Sequence, residues 1–189
     1  MRDSTHSQRI IDALPTRPTI FAPRANELIA VDDTNVIRCW DIGAGGKGAD
    51  LSELQQALTN SPIDVVVIQY EHGVFGLLAL ARLILQQKKL NRHVFVMLHS
   101  SGELATLSVV SGLLEIKRAL KSCDGIFVHS MLDVKNLDAF KVRKNVSYVP
   151  TPVRRTQLDE PPVDGQFGSI GNYFLRKIVF AISSSSGTS

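Results

Sequence analysis

Cysteine is scarce in this chain. Its 189 residues include only Cys39 and Cys123, far apart and with no Cys-x-x-Cys pair. That spacing excludes a disulfide framework and a cysteine-rich metal clamp, and it fits two reduced, buried thiols in a cytosolic protein. Long apolar runs are absent too. The most apolar stretch, Val74 to Leu85, is interrupted by Arg82. A membrane span needs about 20 such residues, so the stretch reads as a buried helix. The N-terminus, Met1-Arg2-Asp3-Ser4-Thr5-His6, is polar and unlike a signal peptide.

Charge of one sign is in short supply. The net charge is +3 and the pI about 9.0, enough for weak attraction to phosphates or an anionic membrane surface and no more. Aromatics make up 6% of the chain, and the basic clusters Lys141-Val142-Arg143-Lys144 and Arg154-Arg155 contain none. Those clusters read as solvated faces rather than a nucleic-acid site. Several motifs are also missing. No Gly-x-Ser-x-Gly elbow follows a strand, and no Gly-x-Gly-x-x-Gly marks a dinucleotide site. Among the five histidines no pair has i, i+4 spacing, which argues against zinc. Gly43-Ala44-Gly45-Gly46-Lys47-Gly48 lacks the Ser or Thr of a P-loop and precedes Asp50, so it reads as a flexible connection.

What is present is an alternation of strand and helix. Ser4 or Thr5 caps a short helix through Leu14, ended by Pro15 and Pro18. Strands are expected at 19–22 and 35–42. Asp50 and Glu53 form a capping-box-like start for a helix striped by Leu51, Leu54 and Leu58. Ile63 to Tyr70 is almost continuously apolar, the pattern of a strand covered on both faces of a parallel sheet. A helix at 75–88, a strand at 93–99, a long helix at 104–122, a strand at 125–130, a helix at 131–140 and a strand at 146–150 follow. The expected fold is therefore α/β, a Rossmann-like open parallel sheet with helices on both faces. Pro150, Pro152, Pro161 and Pro162 with Arg154-Arg155 and Asp159-Glu160 mark a linker by composition. Phe167-Gly168-Ser169-Ile170-Gly171 then reads as a new strand before a Ser/Gly tail.

Ligands of open α/β sheets bind beyond the carboxyl ends of the strands. Three expected strand ends carry polar residues: Gln69-Tyr70-Glu71-His72-Gly73, His99-Ser100-Ser101-Gly102-Glu103 and His129-Ser130. Glu71 and His72 could act as an acid–base pair or hold a polar substrate, or Glu71 could simply open a helix. His99 ends a buried strand and opens a Ser/Gly loop, so it has the stronger functional claim. His129 with Ser130 reads as a helix cap, and His93 belongs at the opposite end of the sheet.

These segments together resemble a known family. Asp64 to Gly76 resembles the "QxEyGiFG" segment of group 1 (GT-B type) glycosyltransferases. Val94 to His99 looks like their "vvvTLH" strand, Cys123 to Ser130 like "aDavvvHS", and Asn145 to Val153 like "vxviPhgv". Gly171 to Lys177 is similar to "GfflphKG", which opens the second domain in that family. The likeness covers most of residues 60–180.

The resemblance implies an acceptor-side domain over 1–153, a linker over 154–165 and the start of a donor-binding domain over 166–189. It implies hexosyl transfer from a nucleotide-sugar donor to the hydroxyl of a sugar or lipid-linked acceptor, in the cytoplasm, with no cofactor and no metal. Peripheral membrane contact is one further option; nucleic acid is not expected. His99 would stand near the reacting centre, with Glu71, His72, Gly73 and Ser100 on the acceptor side and Lys177 on the donor phosphate. Ile178 stands where the family has glycine after that lysine. The family's first strand, central in a doubly wound sheet, has no counterpart before Thr5, and most of the donor domain is absent. The chain alone is thus expected to be inactive. The gap predicts weak hydrogen-exchange protection at 19–22 and 63–70. The alternative reading is a non-catalytic α/β binding module.

Overall fold

The computed structural model describes residues 16–24, 35–42, 49–71, 74–102, 104, 112–150 and 179–182, the last as backbone. Seven strands form one sheet: β1 (Thr19–Pro23), β2 (Val36–Trp40), β3 (Val65–Tyr70), β4 (His93–Leu98), β5 (Gly125–Val128), β6 (Val146–Tyr148) and β7 (Val179–Ile182). Four helices are described: α1 (Ser52–Asn60), α2 (Leu77–Lys89), α3 (Leu113–Ser122) and α4 (Met131–Ala139). The chain is α/β, and the sheet order is β2-β1-β7-β3-β4-β5-β6.

Six strands run parallel because helices or long connections carry the chain back between them. β1 pairs parallel with β2, and β3, β4, β5 and β6 pair parallel in turn. β7 runs antiparallel to both β1 and β3, with Phe180 opposite Ile20 on one side and Val67 on the other. The place left open between the strands at 19–22 and 63–70 is therefore filled. Counted across the sheet, this is the doubly wound order with a reversed strand at its centre. Residues 179–182, which the family likeness assigns to a second domain, lie here within the first sheet.

Alternation across the strands builds the core. Val66, Ile68 and Tyr70 of β3, Val94, Val96 and Leu98 of β4 and Ile126 and Val128 of β5 are all buried in one cluster. They meet the stripe Leu77, Leu80, Ala81, Leu83 and Ile84 of α2 and Ile116, Ala119 and Leu120 of α3. Each Val, Leu or Ile among them contributes about 1.5–3 kcal/mol of burial. On the opposite face Ile20 packs with half-buried Val36 and Val67.

Three element ends differ from the expectation. The capping box at the start of α1 does not form. Asp50 Oδ1 accepts from the Ser52 N–H at 2.9 Å, while Glu53 reaches away to Arg24. In the region expected as one helix over 104–122, Leu104 is helical, residues 105–111 lie outside the described set, and α3 runs from Leu113. Gly112 precedes it with φ of 104°, a conformation a side chain would strain, and a Cβ there would meet Leu78 Cδ1 at 2.9 Å. The expected helix before Leu14 and the strand at 167–171 also lie outside the described residues.

Arg92 fastens α1 to α2. Its Nη1 donates to the Leu58 carbonyl and to Gln87 Oε1, and Nη2 donates to the Ser61 carbonyl at 2.9 Å. The guanidinium thus adds donors at the end of α1, where the Leu58 carbonyl also accepts from the Ser61 N–H at 3.2 Å.

Candidate functional site

The polar strand ends do converge. β1 to β6 all point the same way, so Glu71, His99 and His129 leave β3, β4 and β5 at one carboxyl edge. The strands are buried up to their last residues, Tyr70, Leu98 and Val128. Beyond them the side chains become polar and half-buried.

His99 continues the ladder by one bond, its N–H donating to the Tyr70 carbonyl at 3.0 Å. Its ring lies against that of His129, with centroids 5.1 Å apart and planes tilted by 36°. His129 is anchored from the other side: its Nδ1 donates to the Val149 carbonyl at 2.9 Å, which puts the hydrogen of the neutral ring on Nδ1. The Val149 N–H donates to the Val128 carbonyl at 2.8 Å, so β5 and the exit of β6 clamp that imidazole. His129 thus contributes to the histidine pair, while Ser130 alone caps α4.

Glu71 is half-buried in the turn between β3 and α2, where its carbonyl accepts from the Val74 N–H at 3.4 Å. Beneath it Tyr70 and Phe75 pack edge to face, with centroids 5.6 Å apart. Ser100 is exposed, and its hydroxyl accepts from the Gly102 N–H at 3.3 Å. His72, Gly73 and Lys177 lie outside the described residues. His93 sits at the far edge of the sheet, exposed and 3.2 Å from Asp124 Oδ1.

A buried carboxylate ties the edge together. Asp133, 8% exposed, accepts from the Ser101 N–H at 2.8 Å and the Ser101 hydroxyl at 2.6 Å. Its other oxygen accepts from the Ser130 hydroxyl, and Asn136 Nδ2 donates to Ser101 Oγ at 3.0 Å. Burial works against the charge on Asp133. The Ser101 and Ser130 hydroxyls, the Ser101 N–H and the neighbouring His129 outweigh it and hold the carboxyl below its ordinary range. The loop after His99 and the cap after His129 are therefore fixed to one group. Sequence reasoning missed Asp133 and Asn136, although Ser130-x-x-Asp133 has the spacing of a capping box.

A second polar group lies farther along the same edge. Arg24, just past β1, pairs with Asp41 Oδ2 at 3.1 Å and with Glu53. The sequence reading attached no role to it, because its members come from three separated segments.

Neither cysteine is a nucleophile in this setting. Burial pushes Cys39 up to about 11 and Cys123 up to about 12, so both thiols stay protonated at neutral pH. Among the described residues no three His, Cys, Asp or Glu side chains gather to hold a metal ion. No helix among them is long and apolar enough to cross a membrane.

The arrangement sets two imidazoles, a carboxylate and a serine hydroxyl along one carboxyl edge of the sheet, groups able to donate and accept hydrogen bonds. Comparison with protein-family models, curated proteins and solved structures returns no match to this chain.

Proposed function

We propose that the carboxyl edge of this sheet is the acceptor wall of a glycosyltransferase-like protein of the GT-B type. The reaction is transfer of a hexosyl group from a nucleotide sugar to the hydroxyl of a sugar or lipid-linked acceptor. The observation that carries this reading is the convergence of His99, His129 and Glu71 at one edge, with Asp133 fastening the loops that follow both histidines. The motif order given above supplies the family likeness.

On this reading His99 meets the acceptor or the transferring sugar, and His129 fixes the plane of its ring. Glu71 and Ser100 hydrogen-bond acceptor hydroxyls. A half-buried imidazole can accept or donate a proton near neutral pH, which suits it to a reacting hydroxyl. His72 and Gly73 belong to the same acceptor loop, and Lys177 is assigned to the departing diphosphate, whose charge such an enzyme must neutralise. We place the protein in the cytoplasm, on the support of two free thiols and no disulfide.

One observation favours the second reading, a non-catalytic α/β binding module. β7 uses residues the family likeness gives to the donor side, and spends them in the acceptor-side sheet. Incubating the full chain with a panel of nucleotide sugars and sugar acceptors separates the two. The glycosyltransferase-like reading predicts that the chain binds a sugar acceptor, releases no nucleoside diphosphate by itself, and loses about tenfold or more of that binding in H99A. Acceptor binding unchanged in H99A supports the module, release by this chain alone overturns the expected inactivity, and no binding sinks both.

A further inference from the structure

The helices run opposite to the parallel strands, so α2, α3 and α4 end at the amino edge of the sheet, where β4, β5 and β6 begin. That edge collects the cations Lys88, Lys89, Lys121, Lys141, Arg143 and Lys144. Two of them are already matched: Lys88 pairs with Asp124 at 2.7 Å, and Arg143 pairs with Asp138. Lys89, Lys121, Lys141 and Lys144 are exposed, and among the described residues they meet no carboxylate. Asn145 draws the group together. Its Nδ2 donates to the Leu120 and Cys123 carbonyls, each at 2.9 Å, which brings the end of α3 to the link that carries Lys144.

Helix dipoles explain part of this pattern, since they favour lysine in a last turn such as those of α2 and α3. They do less for α4, which has no basic residue in its last turn and is followed by Lys141 and Lys144. Lys141 also has φ of 65°, a left-handed conformation that Gly or Asn adopts at lower cost. The opposite edge has the opposite sign, with Asp41, Asp50, Glu53 and Glu71 against Arg24. A negatively charged partner is therefore steered to the amino edge.

We propose that the amino edge is a docking surface for an anionic lipid bilayer. Packed helices lie about 8–10 Å apart, so the lysines at the ends of α2 and α4 are separated by roughly 16–20 Å. Charge spread that widely fits an extended anionic surface better than a single small anion. Leu90, next to Lys89, is 42% exposed and offers an apolar side chain to the boundary between headgroups and acyl chains. Among the described residues no exposed aromatic stands at this edge, so nucleic-acid bases have nothing there to stack on. In this orientation the carboxyl edge faces solution. The surface does not depend on the sugar-transfer reading.

The experiment is sedimentation of the full chain with vesicles of equal parts phosphatidylserine and phosphatidylcholine, and with vesicles of phosphatidylcholine alone. Each lysine near an anionic surface is worth about fivefold in affinity at physiological salt. The expected result is binding to the anionic vesicles only, weakened roughly 25-fold in the double variant K121Q/K144Q. A second double variant, R118Q/K135Q, removes the same charge midway along α3 and α4, and its affinity is expected to change by less than about threefold. All four side chains are exposed, so both variants keep their fold. Absence of binding, equal binding to phosphatidylcholine alone, or equal losses in the two variants overturns the inference. Tighter binding to a DNA duplex or to polyglutamate, run as parallel arms, overturns it as well.

Discussion

Asp133 shows how much of the candidate site depends on a residue that touches no ligand. Its two oxygens take three hydroxyl or amide hydrogens from the loops after β4 and β5. Replacing it with alanine leaves those donors buried and unserved, at a cost of about 2 kcal/mol. Urea unfolding of D133A is expected to show that loss, and an unchanged midpoint would contradict the network's role. His99 was legible in the sequence because a histidine closing an apolar strand stands out against its surroundings. Asp133 was not, since its importance comes from Ser101, 32 residues away and reached only through the packing of α4 against the sheet. Arg24 was hidden for the same reason: Asp41 and Glu53 become its neighbours only once β1, β2 and α1 are assembled.

Strands and helices were more readable than the groups that join them. Periodicity located every described helix, because burial of one face is written into local spacing. The ends were less legible. Glu53 has the position of a capping partner but finds a guanidinium instead, and a charged partner outcompetes a backbone N–H. Asp124 is another joining group, at the amino edge of β4 and β5. It accepts from the Val94 N–H and the Lys88 ammonium, each at 2.7 Å. Burial disfavours its charge, yet Lys88, the Val94 N–H and His93 prevail and lower it from 3.8 to about 2. A lowered folded-state value means stability that is full above the unfolded value and lost as pH falls. The contribution is thus complete above about pH 4 and gone near pH 2. Discounted for solvent screening, it is on the order of 1 kcal/mol. D124N is expected to be less stable than the native chain at pH 7 and nearly equal to it at pH 2 in thermal unfolding. A difference that persists unchanged at pH 2 would contradict this electrostatic origin.

At the scale of the molecule, the central position of the sheet is the feature that the sequence left open and the structure closes. Val179 to Ile182 had no recognisable partner in a linear reading, and their pairing with β1 and β3 crosses more than 100 residues. Such non-local pairing leaves no local sign. It reverses one expectation: with both neighbours paired, the amides of β1 and β3 gain protection from exchange. Ending the chain after Ile178 removes β7 and returns the unpaired edge, at about 0.5–1.5 kcal/mol for each lost hydrogen bond. Hydrogen exchange should then accelerate selectively in β1 and β3, and equal protection with and without β7 would contradict the pairing. The central claim, that sugars meet the carboxyl edge at His99, is tested most directly by the histidine ring signals in NMR. Adding a nucleotide sugar with a sugar acceptor should move the signals of His99 and His129 saturably and leave His93, at the opposite edge, in place. Unmoved signals from His99 and His129, or an equal shift at His93, would contradict it.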